Sequence, residues 1–234
     1  MISIVTGTLN RGPFLQRLIE NTVEANEKLE LVLVDGGSTD GTIEYIKEEN
    51  HPRIKLIEVG QRSSYPHFMN LGIQHASHEI ICQWNDDVLL VNDWEEVFQE
   101  IDDHDFYLFN WKNGNYSDIT DSKWLSGNSH SDGWFLLNNK PEGEIVMNYG
   151  LYRKQIFREI GMYNNEYRYY YADGDMSNRA YESGYKVKTL RDIKVCSLIS
   201  KKVANHYYAD DEIYNKNLNL YKQKIFPNHI EFLN

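Results

Sequence analysis

Apolar residues in the first hundred positions fall into short runs, separated by segments in which they recur at helical intervals. Ile2-Ser3-Ile4-Val5 reads as a buried strand, and Pro13 opens a helix marked by Phe14, Leu15, Leu18, Ile19, Thr22 and Val23. The unbroken run Leu31-Val32-Leu33-Val34 predicts a second strand in a sheet covered on both faces. A helix with Ile43, Tyr45 and Ile46 follows, and Ser38 or Asp40 is its candidate cap. Ile54 to Val59 alternates as a third strand, and a helix around Phe68, Met69, Leu71 and Ala76 leads to a fourth, Ile80 to Trp84. Asn85 or Asp86 is the candidate cap of a helix containing Trp94, Val97, Phe98 and Ile101. This alternation predicts a single α/β domain with a Rossmann-like, mostly parallel central sheet and helices on both faces.

Ligands of such sheets collect at the carboxyl ends of the strands, where Thr8, Asn10, Asp35 and Asn85-Asp86-Asp87 all fall. Gly36, Gly37 and Gly41 permit a tight turn beside Asp35, whose carboxylate can accept from a ribose or base edge or can simply cap the turn. The segment has neither the Gly-x-Gly-x-x-Gly spacing of a dinucleotide site nor the Gly-Lys-Ser/Thr of a phosphate loop. Asp86 and Asp87 repel one another and share one solvation shell, an arrangement that a divalent cation resolves. One or two carboxylates with a substrate diphosphate suit Mg2+ or Mn2+.

Composition narrows the partners. A chain of 234 residues with formal charge -11 lacks the clustered Lys and Arg of a phosphate-tracking surface, so nucleic acid is not the expected partner. Cys82 and Cys196 sit in apolar runs and read as buried free thiols of a reducing compartment. No signal peptide precedes Ile2, and no apolar stretch approaches the roughly 20 residues of a membrane span. The expectation is a soluble, cytoplasmic protein, with peripheral membrane association still compatible.

The alternation fades after Phe106 to Phe109, and the polar stretch Lys112 to Gly143 reads as a binding loop. Trp111, Trp124 and Trp134 are candidates for stacking on sugar rings or for anchoring that loop to the core. Further on, Tyr169-Tyr170-Tyr171-Ala172-Asp173-Gly174-Asp175 leads into a helix with Met176, Arg179, Ala180 and Tyr181, for which Asp175 is the natural cap. His206 follows an apolar pair, and the Tyr- and Asn-rich tail after it can pack across the site or mediate a dimer.

Three stretches together carry a family resemblance: Thr8-Leu9-Asn10-Arg11 after the first strand, Val34 to Thr42, and Asn70-Leu71-Gly72-Ile73. They resemble the opening Thr-x-Asn-Arg turn, the nucleotide-binding Asp-x-Gly-Ser-Thr-Asp-Gly-Thr segment and the Asn-x-Gly step of the family 2 glycosyltransferases. The resemblance implies a GT-A fold and inverting transfer of a sugar from a nucleotide-diphosphate donor, a UDP-sugar, to an acceptor hydroxyl. It assigns donor contacts to Thr6, Thr8, Asn10, Arg11, Asp35, Gly37, Asn70, Asn85 and Asp86. It assigns Mn2+ or Mg2+ to Asp86 and Asp87, with His206 completing the site. Asp173 aligns with the general base and Asp175 is its competitor, while Ala172 and Asn85 stand where many members have acids. On this reading residues 1-105 bind the nucleotide sugar, and residues 106-234 bind the acceptor and supply the base. The acceptor is a carbohydrate, a lipid-linked sugar or another hydroxyl compound. A sugar nucleotidyltransferase needs a Gly-rich opening loop with Arg and Lys, which does not follow Val5. A noncatalytic carbohydrate-binding protein of the same fold is the other alternative. A processive synthase is disfavoured, because membrane spans and a Gln-x-x-Arg-Trp motif are both lacking.

Overall fold

β1 (Ile2–Thr8) and β2 (Leu29–Asp35) form the parallel centre of the sheet, flanked by β3 (Ile54–Glu58) and β4 (Ile80–Gln83). A computed structural model of the chain describes residues 1–113, 145, 147–168, 170–198, 208–227 and 232. Side chains alternate across a strand, which explains the continuous apolar runs. Ile4, Leu31 and Leu33 pack with Leu15 and Leu18 of α1 (Gly12–Asn21) and Ile46 of α2 (Thr42–Glu49). Val5 and Val32 face the other way, against Met69 and Ile73 of α3 (Tyr65–His75). On that same side lie Phe157 of α5 (Lys154–Ile160) and Met176 of α6 (Ala172–Glu182).

Beyond β4 the sheet turns mixed. β7 (Gly150–Arg153) runs antiparallel to β4, and β6 (Phe106–Asn113) antiparallel to β7. β8 (Val187–Ser197) is parallel to β6, and the short β5 (Val88–Leu90) closes the edge antiparallel to β8. The order is β3-β2-β1-β4-β7-β6-β8-β5. α4 (Trp94–Glu100) and α7 (Tyr208–Lys222) complete the described elements.

Several boundaries differ from the sequence pattern for local reasons. α1 ends at Asn21, and Thr22 turns back through its hydroxyl to the Leu18 carbonyl at 2.6 Å. Asp40, not Ser38, serves the start of α2, accepting from the Thr42 backbone at 3.1 Å behind a left-handed Gly41. Asn85 and Asp86 do not cap α4, because β5 intervenes and Asp93 forms a capping box with Glu96. Asp175 is not the cap of α6 either; that helix starts at Ala172, and Asp175 lies in its first turn. At Gly72 a Cβ would lie 2.4 Å from Val5 Cγ1, so only glycine lets α3 approach β1 this closely.

The buried carboxylate at the amino ends of the strands is fully engaged. Glu30 accepts from Ser3 at 2.6 Å and from the Ser77 backbone and hydroxyl, and it pairs with Lys55 at 2.8 Å. Burial alone raises its pKa, but these bonds overcome the penalty and bring it down to about 2.

Candidate active site

The carboxyl ends of the strands open into a cavity of about 750 Å³. Thr8, Asn10 and Arg11 enter it from the end of β1, Asn85, Asp86 and Asp87 from the end of β4, and Arg62 from the loop before α3. Asp173 reaches it from the first turn of α6. The turn carrying the paired carboxylates is fixed from beneath: buried Trp84 donates its indole N–H to the Val88 carbonyl at 2.7 Å, and Val88 N–H bonds Asn85 at 3.2 Å. From the far half of the chain, Leu198 N–H holds the Asp87 carbonyl at 2.8 Å.

Half-buried Asp86 accepts from the Thr8 hydroxyl at 2.9 Å, and the Arg11 guanidinium approaches to 4.0 Å. Its pKa is raised first by burial and then by the Asp87 charge. Asp87 is 4% exposed, and burial raises its pKa as well, against the pull of Arg11. Among the described residues no side chain donates to the Asp87 carboxylate. Two adjacent, buried, under-compensated carboxylates offer hard oxygen donors to a divalent cation, so the residues present fit Mn2+ or Mg2+. Asp173 accepts from Gly174 N–H at 2.8 Å, and burial pushes its pKa from 3.8 up to about 6. The side chain still meets the cavity solvent, which moderates that penalty.

Four expected donor contacts lie behind the cavity wall instead of in it. Asp35 is fully buried and spent on its own turn: one carboxylate oxygen accepts from Gly37 and Ser38 N–H at 2.7 and 2.9 Å, the other from the Ser38 hydroxyl. Its effect reaches the cavity at one remove. Ser38 Oγ accepts from Asn10 N–H at 2.9 Å, and Asn10 Oδ1 accepts from Thr39 N–H at 2.8 Å, fixing Asn10 at a left-handed φ of 54°. Gly37 has φ of 91°, and a Cβ there would come within 2.8 Å of the Gly60 carbonyl. Thr6 is fully buried, its hydroxyl on the Gly7 carbonyl at 3.0 Å. Asn70 staples α3 to the chain after α5, accepting from Tyr163 N–H and donating to the Tyr163 carbonyl, both at 2.9 Å.

Asp175 is withdrawn from the cavity too. Fully buried, it accepts on one oxygen from Tyr167, Asn217 and Tyr221 at 2.8 to 3.0 Å. Trp111 packs edge-on against Tyr149 at 6.0 Å and lies against the core. Trp124, Trp134, His206 and Tyr169 lie outside the described residues. Asp102, Asp103 and His104 form an acidic cluster on the surface, tied to Lys186 and Lys188 and apart from the cavity.

The sequence profile of Glycosyl transferase family 2 matches residues 3–161, more than half of the chain. The chain belongs to glycosyl transferase family 2. Its fold is shared with the mannosyltransferase PcManGT from Pyrobaculum calidifontis, solved with GDP-Man and Mn2+, at a TM-score of 0.64 and 18% identity, covering 95% of this chain and 63% of that one. S. aureus TarS 1-349 with UDP-GlcNAc aligns at a TM-score of 0.68 and 16% identity, covering 95% and 66%. The chain thus spans about two thirds or less of these structures. No curated protein matches it. These likenesses establish a GT-A fold. In this family 2 member, α6, α7 and Asp173 all lie beyond the matched stretch.

The cavity also holds residues that the sequence did not single out. Arg62 follows β3, so the strand-end rule that selected Asp35 and Asp86 selects it equally. Tyr149 lines the cavity between the acids: its pKa is raised by burial and then by the Asp87 charge, with a smaller contribution from Asp173, and its hydroxyl bonds Asn85 at 3.5 Å. Tyr171, just before α6, and Tyr214 of α7 also line it, and no local pattern announces their meeting.

Proposed function

We propose that this family 2 glycosyl transferase moves a sugar from a nucleotide diphosphate, a UDP-sugar, to an acceptor hydroxyl with inversion. The observation that carries this reading is the meeting in one cavity of an adjacent carboxylate pair, Asp86 and Asp87, with a separate acid, Asp173. Inverting transfer needs those two functions on different groups: one set to hold the donor diphosphate, another to take the acceptor proton. The likeness to structures solved with GDP-Man and with UDP-GlcNAc supports a nucleotide-sugar donor.

Asp86 and Asp87 are the proposed metal ligands, and a bound Mn2+ or Mg2+ would supply charge neutralisation to the departing diphosphate. Arg11 and Arg62 add fixed positive charge for phosphate oxygens, while Thr8 and Asn10 form the rim beside the nucleoside. The acceptor oxygen bonds to the anomeric carbon from the side of Asp173. The bond from that carbon to the diphosphate oxygen breaks, its electron pair leaves with the nucleoside diphosphate, and the acceptor proton passes to the Asp173 carboxylate. A positioned base of this kind contributes typically ~10²- to 10⁴-fold. Its raised pKa keeps Asp173 basic enough to accept a proton near neutrality.

No helix among the described residues is long and apolar enough to cross a membrane. With Cys82 and Cys196 buried as thiols and not joined in a disulfide, a cytoplasmic location belongs to the same proposal. Its test is a screen of UDP- and GDP-sugars with Mn2+, following release of the nucleoside diphosphate. The expected result is turnover of one donor, and failure of every nucleotide sugar to bind or react would refute the reading.

A further inference from the structure

The described part of the cavity contributed by α7, by α6 and by the two residues before α6 is largely aromatic. Tyr171, the residue before α6, has φ of 65°, a left-handed conformation that a bulky side chain adopts only under constraint. The constraint is built from α7. Tyr214 stacks on the Tyr171 ring with centroids 4.9 Å apart and planes 24° from parallel, and the Tyr171 hydroxyl bonds the Asp211 carboxylate. The Asp210 carboxylate accepts from the backbone N–H groups of Arg168 and Tyr170 at 3.1 and 3.0 Å. Tyr170 sets its ring 6.3 Å from that of Tyr171, tilted by 58°. One face of the Tyr171 ring is therefore covered by Tyr214, its hydroxyl is anchored, and the half-buried residue lines the cavity two positions before Asp173.

Charge divides the cavity in the same way. Arg11 and Arg62 follow β1 and β3, whereas the described lining from Tyr170, Tyr171, α6 and α7 carries one carboxylate and no cation. An anionic acceptor would meet the Asp173 carboxylate there, with no cation in the described lining on that side to offset it. A pyranose ring offers an apolar C–H face to an aromatic plane and hydroxyls at its edge.

Building on the proposed transferase activity, we propose that Tyr171 is the stacking platform of the acceptor site and that the acceptor is an uncharged pyranoside. Its ring lies on Tyr171 and presents one hydroxyl to Asp173. The strained backbone is then the means by which α7 holds that ring in place.

The experiment first measures donor turnover without acceptor, using UDP-GlcNAc, GDP-mannose and UDP-glucose with Mn2+; silence there is a failure of the parent reading alone. With the active donor, 4-nitrophenyl pyranosides are compared with glycerol 3-phosphate and sugar 1-phosphates. A neutral pyranoside is expected to accelerate turnover saturably. Tyr171→Asn removes the ring with a residue that tolerates the left-handed backbone, and it is expected to raise the pyranoside KM about tenfold or more, the loss of one stacking contact. Tyr171→Phe keeps the ring and is expected to stay within about threefold of the parent chain. Circular dichroism verifies that both variants fold. Transfer confined to phosphate-bearing acceptors, no acceleration by any pyranoside, or an unchanged KM in a folded Tyr171→Asn would each overturn the proposal.

Discussion

Replacing Asp173 by Asn should make the protein both inactive and more stable at alkaline pH. The carboxyl pKa is raised from 3.8 to about 6 by burial, so the folded state holds the proton more tightly than the unfolded chain does. The stability linked to this group is fully present below about pH 4 and is lost as pH rises through about 6. At pH 8 the ionised group costs up to about 3 kcal/mol, since each pH unit of displacement is worth ~1.4 kcal/mol. Water in the cavity reduces that figure, and ~1 to 3 kcal/mol is the expected gain for Asp173→Asn. The amide oxygen can still accept from Gly174 N–H, so the first turn of α6 is kept. Urea unfolding of both chains without metal at pH 8 and pH 4.5 measures the difference, which should be large at the higher pH and shrink at the lower. Turnover should fall by ~10²- to 10⁴-fold. The reasoning fails if the variant is less stable than the parent chain at pH 8, or if it retains turnover within about tenfold.

Asp87→Ala should abolish the Mn2+-dependent part of nucleotide affinity, which calorimetry with UDP or GDP, with and without the metal, would measure; equal metal dependence in both chains would exclude this carboxylate as a ligand. Glu30→Gln should show the opposite pH behaviour from Asp173→Asn. Because the Glu30 pKa is lowered from 4.5 to about 2, its stabilisation is present above about pH 4.5 and fades as pH falls towards 2. Denaturant melts should therefore show a loss of ~1 to 3 kcal/mol at pH 7 that narrows below about pH 4.5 and closes as pH falls to about 2. Gly72→Ala should cost ~1 to 3 kcal/mol through overpacking against Val5, and an unchanged melting temperature would contradict the close approach of α3 to β1.

The sequence was informative wherever function follows from strand order. Thr8, Asn10, Asp86 and Asp87 each stand at a strand end, and the strand ends converge. Asp173 was legible as an acid opening a helix, although nothing local announces its meeting with Asp86 and Asp87 in one cavity. Asp35 shows where residue type misleads: the donors that consume its carboxylate lie within three residues of it, so a satisfied turn and an open binding group share one sequence signature. Asn70 and Asp175 are committed to partners far along the chain, at Tyr163 and at Asn217 and Tyr221, which no local pattern reveals. The Asp93-x-x-Glu96 capping signature was present in the sequence, but β5, only three residues long, hid the break that made it the true helix start.

The edge pairing of β5 with β8 bears on whether the chain is divisible. The stretch recognisable as the family ends at residue 161, and Asp86 and Asp87 lie well inside it. Yet β5, directly after Asp87, pairs among the described residues with β8, and the Asp87 carbonyl is held by Leu198. A piece ending at residue 161 would retain the family's signature residues while losing the clamp that aims two of them. Residues 3–161 are accordingly a unit of sequence likeness, while the turn that carries Asp86 and Asp87 is held partly by a strand outside it.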